Sequence, residues 1–152
     1  MRVNTWWLTL GVVWSVIFAG MSFYWAMGGM LGVRSRGGAI YEMSFDPEPS
    51  FILIVWLTGF AKLLGAVLLL LLPVPWRNAA ISKVLYYLIK IAGVFLFLYG
   101  LLNFITISLS AFAILDMNLE VHATFWRLVF WEPFWMAGGI CYFFSVKKQR
   151  SI

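Results

Sequence analysis

Four apolar runs, each at or beyond the ~18 residues that mark a membrane-crossing helix, constrain this chain more than any other feature of it. Strands of a membrane barrel alternate apolar and polar residues over about ten positions, and these runs do not alternate. With 63% hydrophobic and 11% charged residues, the chain is too apolar for a soluble domain of its length. The fold class that follows is an all-α membrane protein, a bundle of four transmembrane helices in a single domain spanning residues 1–152.

The first helix is expected over 6–30, since no residue from Val3 to Val33 is charged and Trp6 and Trp7 open the run as an interfacial aromatic belt would. Arg2 ahead of an apolar stretch also fits a signal peptide, but the run far exceeds a signal core of about 7 to 15 residues. An outer loop, 31–50, holds two arginines, three acids and two prolines, and Ser50 is the expected N-cap of helix two at 51–72. Pro73 and Pro75 open a basic inner turn, 73–83. Helix three is expected over 84–112, longer than a span needs and therefore tilted or protruding. An outer link, 113–123, carries Asp116, Glu120 and His122, and helix four, 124–146, ends in Lys147, Lys148 and Arg150.

Arg2, Arg77, Lys83, Lys147, Lys148 and Arg150 fall on one side of this topology, and Arg34 and Arg36 on the other. The first side is cytoplasmic by the positive-inside rule, so both termini are placed inside, in a bacterial inner membrane. The same placement explains the net charge of +5 without nucleic acid, because the basic residues flank apolar runs and form no stripe or arm.

Inside the runs stand a few polar residues at matching depth. Glu132 lies roughly 12 Å below the outer end of helix four, Lys62 roughly 16 Å below that of helix two, and Asn103 about 13 Å below that of helix three. Tyr99 is one turn further in, and Tyr24 and Trp25 on helix one are shallower. A charge at the bilayer centre costs at least ~2.5 to 3.5 kcal/mol on insertion scales, so Lys62 is expected to pair with Glu132. Pro133 has no N–H and frees the carbonyl of Val129, which predicts a kink beside Glu132. Arg127 is placed nearer the surface, at the entrance. Gly138 and Gly139 leave room for a neighbouring helix.

Each has a plainer reading. The charged pair can serve only to set helix register. Lys90 reads as snorkelling to the inner interface, His122 as a surface residue, and Cys141 as packing. A single cysteine and a single histidine assemble neither an internal disulfide nor a zinc cluster. No phosphate loop, nucleophile elbow or haem motif occurs, and neither a metal nor a cofactor is expected.

Three blocks, Tyr24-Trp25-Ala26-Met27-Gly28-Gly29, Leu98-Tyr99-Gly100-Leu101-Leu102-Asn103 and Trp131-Glu132-Pro133-Phe134-Trp135-Met136-Ala137-Gly138-Gly139, resemble a family of small bacterial membrane proteins known as domain of unknown function 3995. The likeness covers helices one, three and four and implies the architecture, with no activity attached. The family pattern commonly has a histidine where Ser22 and Arg127 stand here, and aspartate where Glu132 stands.

Three functional readings stay open. The first is a non-enzymatic membrane protein that binds a small or lipid-like molecule in an outer-leaflet pocket formed by Glu132, Lys62, Asn103, Tyr99, Tyr24 and Trp25, with Arg127 at its mouth. The second is an enzyme acting on an apolar substrate with Glu132 as general acid or base, ranked lower because one lysine and one carboxylate supply few catalytic parts. The third is an oligomeric transporter or channel, or an accessory subunit, built on small-residue faces such as Ala61 with Gly65.

Overall fold

The computed structural model describes residues 2–115, 117 and 119–147. Asp116, Lys148 and Arg150, placed by sequence in the outer link and the inner basic cap, lie outside the described residues. The chain is almost wholly helical. In order it comprises β1 (Arg2–Val3), α1 (Thr5–Ala26), α2 (Val33–Arg36), α3 (Gly38–Met43), α4 (Pro49–Leu70), α5 (Ala79–Ala111), α6 (Val121–Trp126), a π-helical segment (Arg127–Trp131), α7 (Glu132–Ser145) and β2 (Val146–Lys147). Three of these, α1, α4 and α5, are long and apolar enough to cross a membrane.

Local chemistry moves several expected boundaries. α1 stops at Ala26, short of residue 30, because the chain turns at Gly28 with φ 89°, a conformation open to glycine and costly for other residues. α4 begins at Pro49, whose ring presets a first-turn φ and whose missing N–H is no loss there. Ser50 is therefore inside the helix and is not its cap; its hydroxyl donates to Glu48 Oε2 at 3.3 Å. α5 starts five residues earlier than expected because Asn78 caps it, its side-chain oxygen accepting from the Ala80 N–H at 2.8 Å. Its 33 residues make a rod of about 50 Å, well over a ~30 Å hydrocarbon core. The outer loop is not irregular coil: it folds into α2 and α3.

The fourth apolar run is not one α-helix. Pro133 cannot donate to the i−4 carbonyl, and the turn before it widens. The Glu132 N–H bonds to the Arg127 carbonyl, five residues back. The expected kink is thus a π-turn centred on Val129, four residues ahead of the proline.

The long helices form an open arc. α4 packs on α1, α1 on α7 and α7 on α5, while α4 and α5 barely touch. Trp14 and Phe18 of α1, Leu69 of α4, Ile89 of α5, Trp131 of the π-segment and Tyr142 of α7 fill the concave side. The convex faces are apolar and open, with Leu57 57%, Ile91 65% and Leu102 62% exposed, as suits hydrocarbon around them. β1 and β2 pair antiparallel and hold the ends of α1 and α7 side by side.

The α5–α7 contact is backbone against backbone. A methyl placed on Gly139 would stand 2.6 Å from the Gly93 carbonyl oxygen, and one on Gly100 would stand 2.8 Å from the Glu132 carbonyl oxygen. Backbone atoms cannot swing aside, so filling that space separates the helices. Gly139→Ala is expected to lower stability by about 1 to 3 kcal/mol. Gly20→Ala on α1, where nothing lies within 4 Å, is expected to stay within about 1 kcal/mol of the native chain. Thermal unfolding in detergent reads both, and equal effects would contradict the packing described.

Candidate functional site

Lys62, near the middle of α4, faces the inside of the arc. Its ammonium donates to Ser22 Oγ at 2.6 Å and sits 4.2 Å over the Phe18 ring and 5.6 Å from that of Trp135. A hydrogen bond from a charged donor contributes about 1.5 to 3 kcal/mol, and a desolvated cation–π contact up to about 2. These neutral contacts suffice to offset the ~2.5 to 3.5 kcal/mol cost of the buried charge. Among the described residues Lys62 thus has no carboxylate partner, and its expected pairing with Glu132 is not made.

Glu132 takes Arg127 instead. The Glu132 side chain is 1% exposed, and its Oε1 accepts from Arg127 Nη2 at 2.8 Å and Nε at 2.9 Å. The π-turn produces this pair, because its i→i+5 bonding brings residues five apart onto one face. Arg127 also reaches Asn103 Oδ1 at 3.4 Å, and Asn103 Nδ2 donates to the Tyr99 carbonyl at 2.8 Å. Arg127 and Asn103 thus brace the acid from the π-segment and α5, and neither forms the wall or mouth of the neighbouring cavity.

Arg36 is the residue that sequence reasoning missed. It was assigned to a solvent-facing loop, yet α2 turns it inward, where its guanidinium lies 5.1 Å over the Trp131 ring and within electrostatic reach of Tyr99, Glu132 and Arg127. Burial pushes its pKa down, opposed by Tyr99 and Glu132, and an arginine displaced from so high an ordinary value stays charged. Two contacts hold α2 down. Trp131 Nε1 donates to Ser35 Oγ at 2.9 Å, and Gly37, with φ 60°, lies so close to Ala123 that a side chain would collide with it. The glycines at 32, 37 and 38 were the only local signal that this loop has a fixed shape.

Between α4 and α5, floored by α1 and α7, runs a largely apolar cavity of about 940 Å³. Lys62, Arg36, Trp25, Tyr99 and Trp135 all line it. Tyr24 does not. Its ring covers Gly29 and its hydroxyl accepts from the Leu31 N–H at 3.4 Å, a local cap on the end of α1. Trp25 lies 5.6 Å from Trp131 and donates from Nε1 to the Leu31 carbonyl at 2.8 Å. Of the residues expected to converge, Lys62, Tyr99 and Trp25 reach the cavity, Glu132, Asn103 and Arg127 form a separate polar knot behind it, and Tyr24 lies apart.

A family model for a protein of unknown function, DUF3995, matches residues 15–142, a stretch that contains every one of these side chains. The chain belongs to the DUF3995 family. No curated protein and no solved structure matches it. Ser22 and Arg127, two of the three positions at which the sequence departs from the resemblance, each contact a charged group, Ser22 the half-buried ammonium of Lys62 and Arg127 the buried carboxylate of Glu132.

Removing one member of a buried pair strands the other's charge at a cost of about 3 to 5 kcal/mol, whereas removing both together is often close to neutral. Arg127→Leu is therefore expected to destabilise the chain by about that amount, and the Arg127→Leu/Glu132→Leu double variant by clearly less. Unfolding midpoints in detergent measure both. Additive losses would show that the pair is not coupled.

Proposed function

We propose that this protein is a membrane-embedded binding protein that holds a small or lipid-like apolar molecule in the cavity between α4 and α5. The carrying observation is the shape of the arc: two long helices that barely touch flank a cavity of about 940 Å³ with mostly apolar walls. That volume is at the upper end of the ~300 to 1,000 Å³ common for ligand sites. Because the gap faces sideways, an apolar molecule reaches it from the bilayer without crossing water.

The reading includes a topology. The run 121–145 is helical throughout and long enough at about 1.5 Å per residue to cross as a fourth span despite its π-turn. Four crossings return the chain to its starting side, which agrees with the pairing of Arg2–Val3 and Val146–Lys147. Arg77, Lys83 and Lys147 lie on that side and mark it as cytoplasmic, in a bacterial inner membrane, so the loop carrying Arg34 and Arg36 faces outward. Glu132 as general acid or base draws no support from this geometry, since its carboxylate is tied to Arg127 outside the cavity wall.

Native mass spectrometry of the full chain extracted from its membrane tests the proposal. A bound small molecule or lipid is expected to persist through detergent exchange, and Ala92→Trp, which fills the α5 wall of the cavity, is expected to lower its occupancy several-fold. A bare polypeptide mass in every detergent, with no stabilisation by added lipid, would overturn it.

A further inference from the structure

The charges around the cavity do not balance at depth. Among the described residues, the partners of Lys62 are a hydroxyl and two aromatic rings. Arg36 has one guanidinium nitrogen, Nη1, that is buried with no hydrogen-bond partner among the described residues, and the buried indole N–H of Trp135 has none either. Arg36 and Lys62 lie near enough to feel each other's charge. Glu132 is bound by Arg127 and is within electrostatic reach of Arg36 without pairing with it. Two other carboxylates line the cavity, Asp46 and Glu48, but both are exposed at its outer rim. Glu48 stands fourteen residues along the chain from Lys62, roughly 21 Å at helical rise.

Three cations around one buried carboxylate leave a net excess of positive charge, and the unbonded donors Arg36 Nη1 and Trp135 Nε1 outnumber the one unbonded buried acceptor among the described residues, Glu132 Oε2, which lies behind the cavity wall. In a low-dielectric site such a set attracts an anion strongly, and a buried N–H without a partner is destabilising until an acceptor arrives. The remaining wall is apolar, and the gap between α4 and α5 opens to lipid. The side wall on α4 runs from Ser50 to Leu68, about 27 Å, comparable with the ~30 Å hydrocarbon thickness.

We infer that the cavity takes an amphiphile with an anionic head, a carboxylate or phosphate, which Lys62 and Arg36 bind while its hydrocarbon chain lies along α4 and α5 and leaves sideways between them. This rests on the binding reading above and adds the chemical class of the ligand. A second copy of the chain is a poorer occupant. A two-fold interface across this gap would set Lys62 and Arg36 against their own symmetry mates with no added acid between them.

The full-length chain in a neutral maltoside detergent is titrated with three probes, oleate, hexadecyl phosphate and hexadecanol, by thermal shift and native mass spectrometry. One or both anionic probes are expected to bind at least about 10-fold tighter than the alcohol, about 1.4 kcal/mol. The tighter of the two assigns the head as carboxylate or phosphate. In Lys62→Met/Arg36→Gln the preference is expected to fall below about 3-fold while the alcohol still binds. Equal binding of all three probes by the native chain would overturn the anionic head and leave the lipid-binding reading standing, and that comparison needs no variant to fold. Inorganic phosphate competing as well as hexadecyl phosphate would overturn the role of the chain. Binding of none, or a dimer that excludes every probe, would overturn both readings.

Discussion

The backbone contact between α5 and α7 is the constraint on which the rest of the architecture depends. Glycines at 93, 100 and 139 bring the two helices so close that one helix's carbonyl oxygens occupy the place of the other's side chains. In a bilayer, where lipid is as apolar as leucine, such close packing is a principal source of helix association. It fixes α5 to α7, and the indole of Trp14 against Gly138 fixes α1 to the same helix. α4 is then attached mainly through α1, and the side of α4 nearest α5 has nothing to pack on. The cavity is what this one-sided attachment leaves.

The π-turn links that scaffold to the electrostatics. A regular helix through Pro133 would leave an unpaired carbonyl and would set Arg127 away from Glu132. Widening the turn shifts the donor to the Arg127 carbonyl from the Trp131 N–H to the Glu132 N–H and brings the two charged side chains together. With Glu132 neutralised by a residue of its own segment, Lys62 is left to a hydroxyl and aromatic faces. Its charge therefore belongs to the cavity and not to the fold's internal pairing. Arg36 joins it because α2 is pinned against α6 and the π-segment through Ser35, Gly37 and Ala123.

Much of this was legible in advance, and the failures have a common origin. The long apolar runs showed the helices, Pro133 showed where the last of them would deviate, and the Gly138-Gly139 pair showed where a neighbour would press. Glu132 is buried and Lys62 half-buried, but matching their depth said nothing about their azimuth around each helix. Depth follows from counting residues at a fixed rise. Which side chains meet follows from how helices rotate about their axes and in what order they pack. Tyr24 and Asn103 failed as cavity residues for that reason. Arg36 was missed because a charged residue between glycines in a polar loop carries no mark of burial.

The sequence by itself determined that the chain is helical, with long apolar runs and a few charged residues that must lie among them, because hydrocarbon forces backbone groups to bond within their own segment. Only the tertiary structure decided that the helices form an open arc, that Glu132 is claimed by Arg127, and that Lys62 and Arg36 face a common cavity. Those outcomes depend on non-local contacts, a glycine on one helix meeting a carbonyl on another, and no local pattern of residues encodes them.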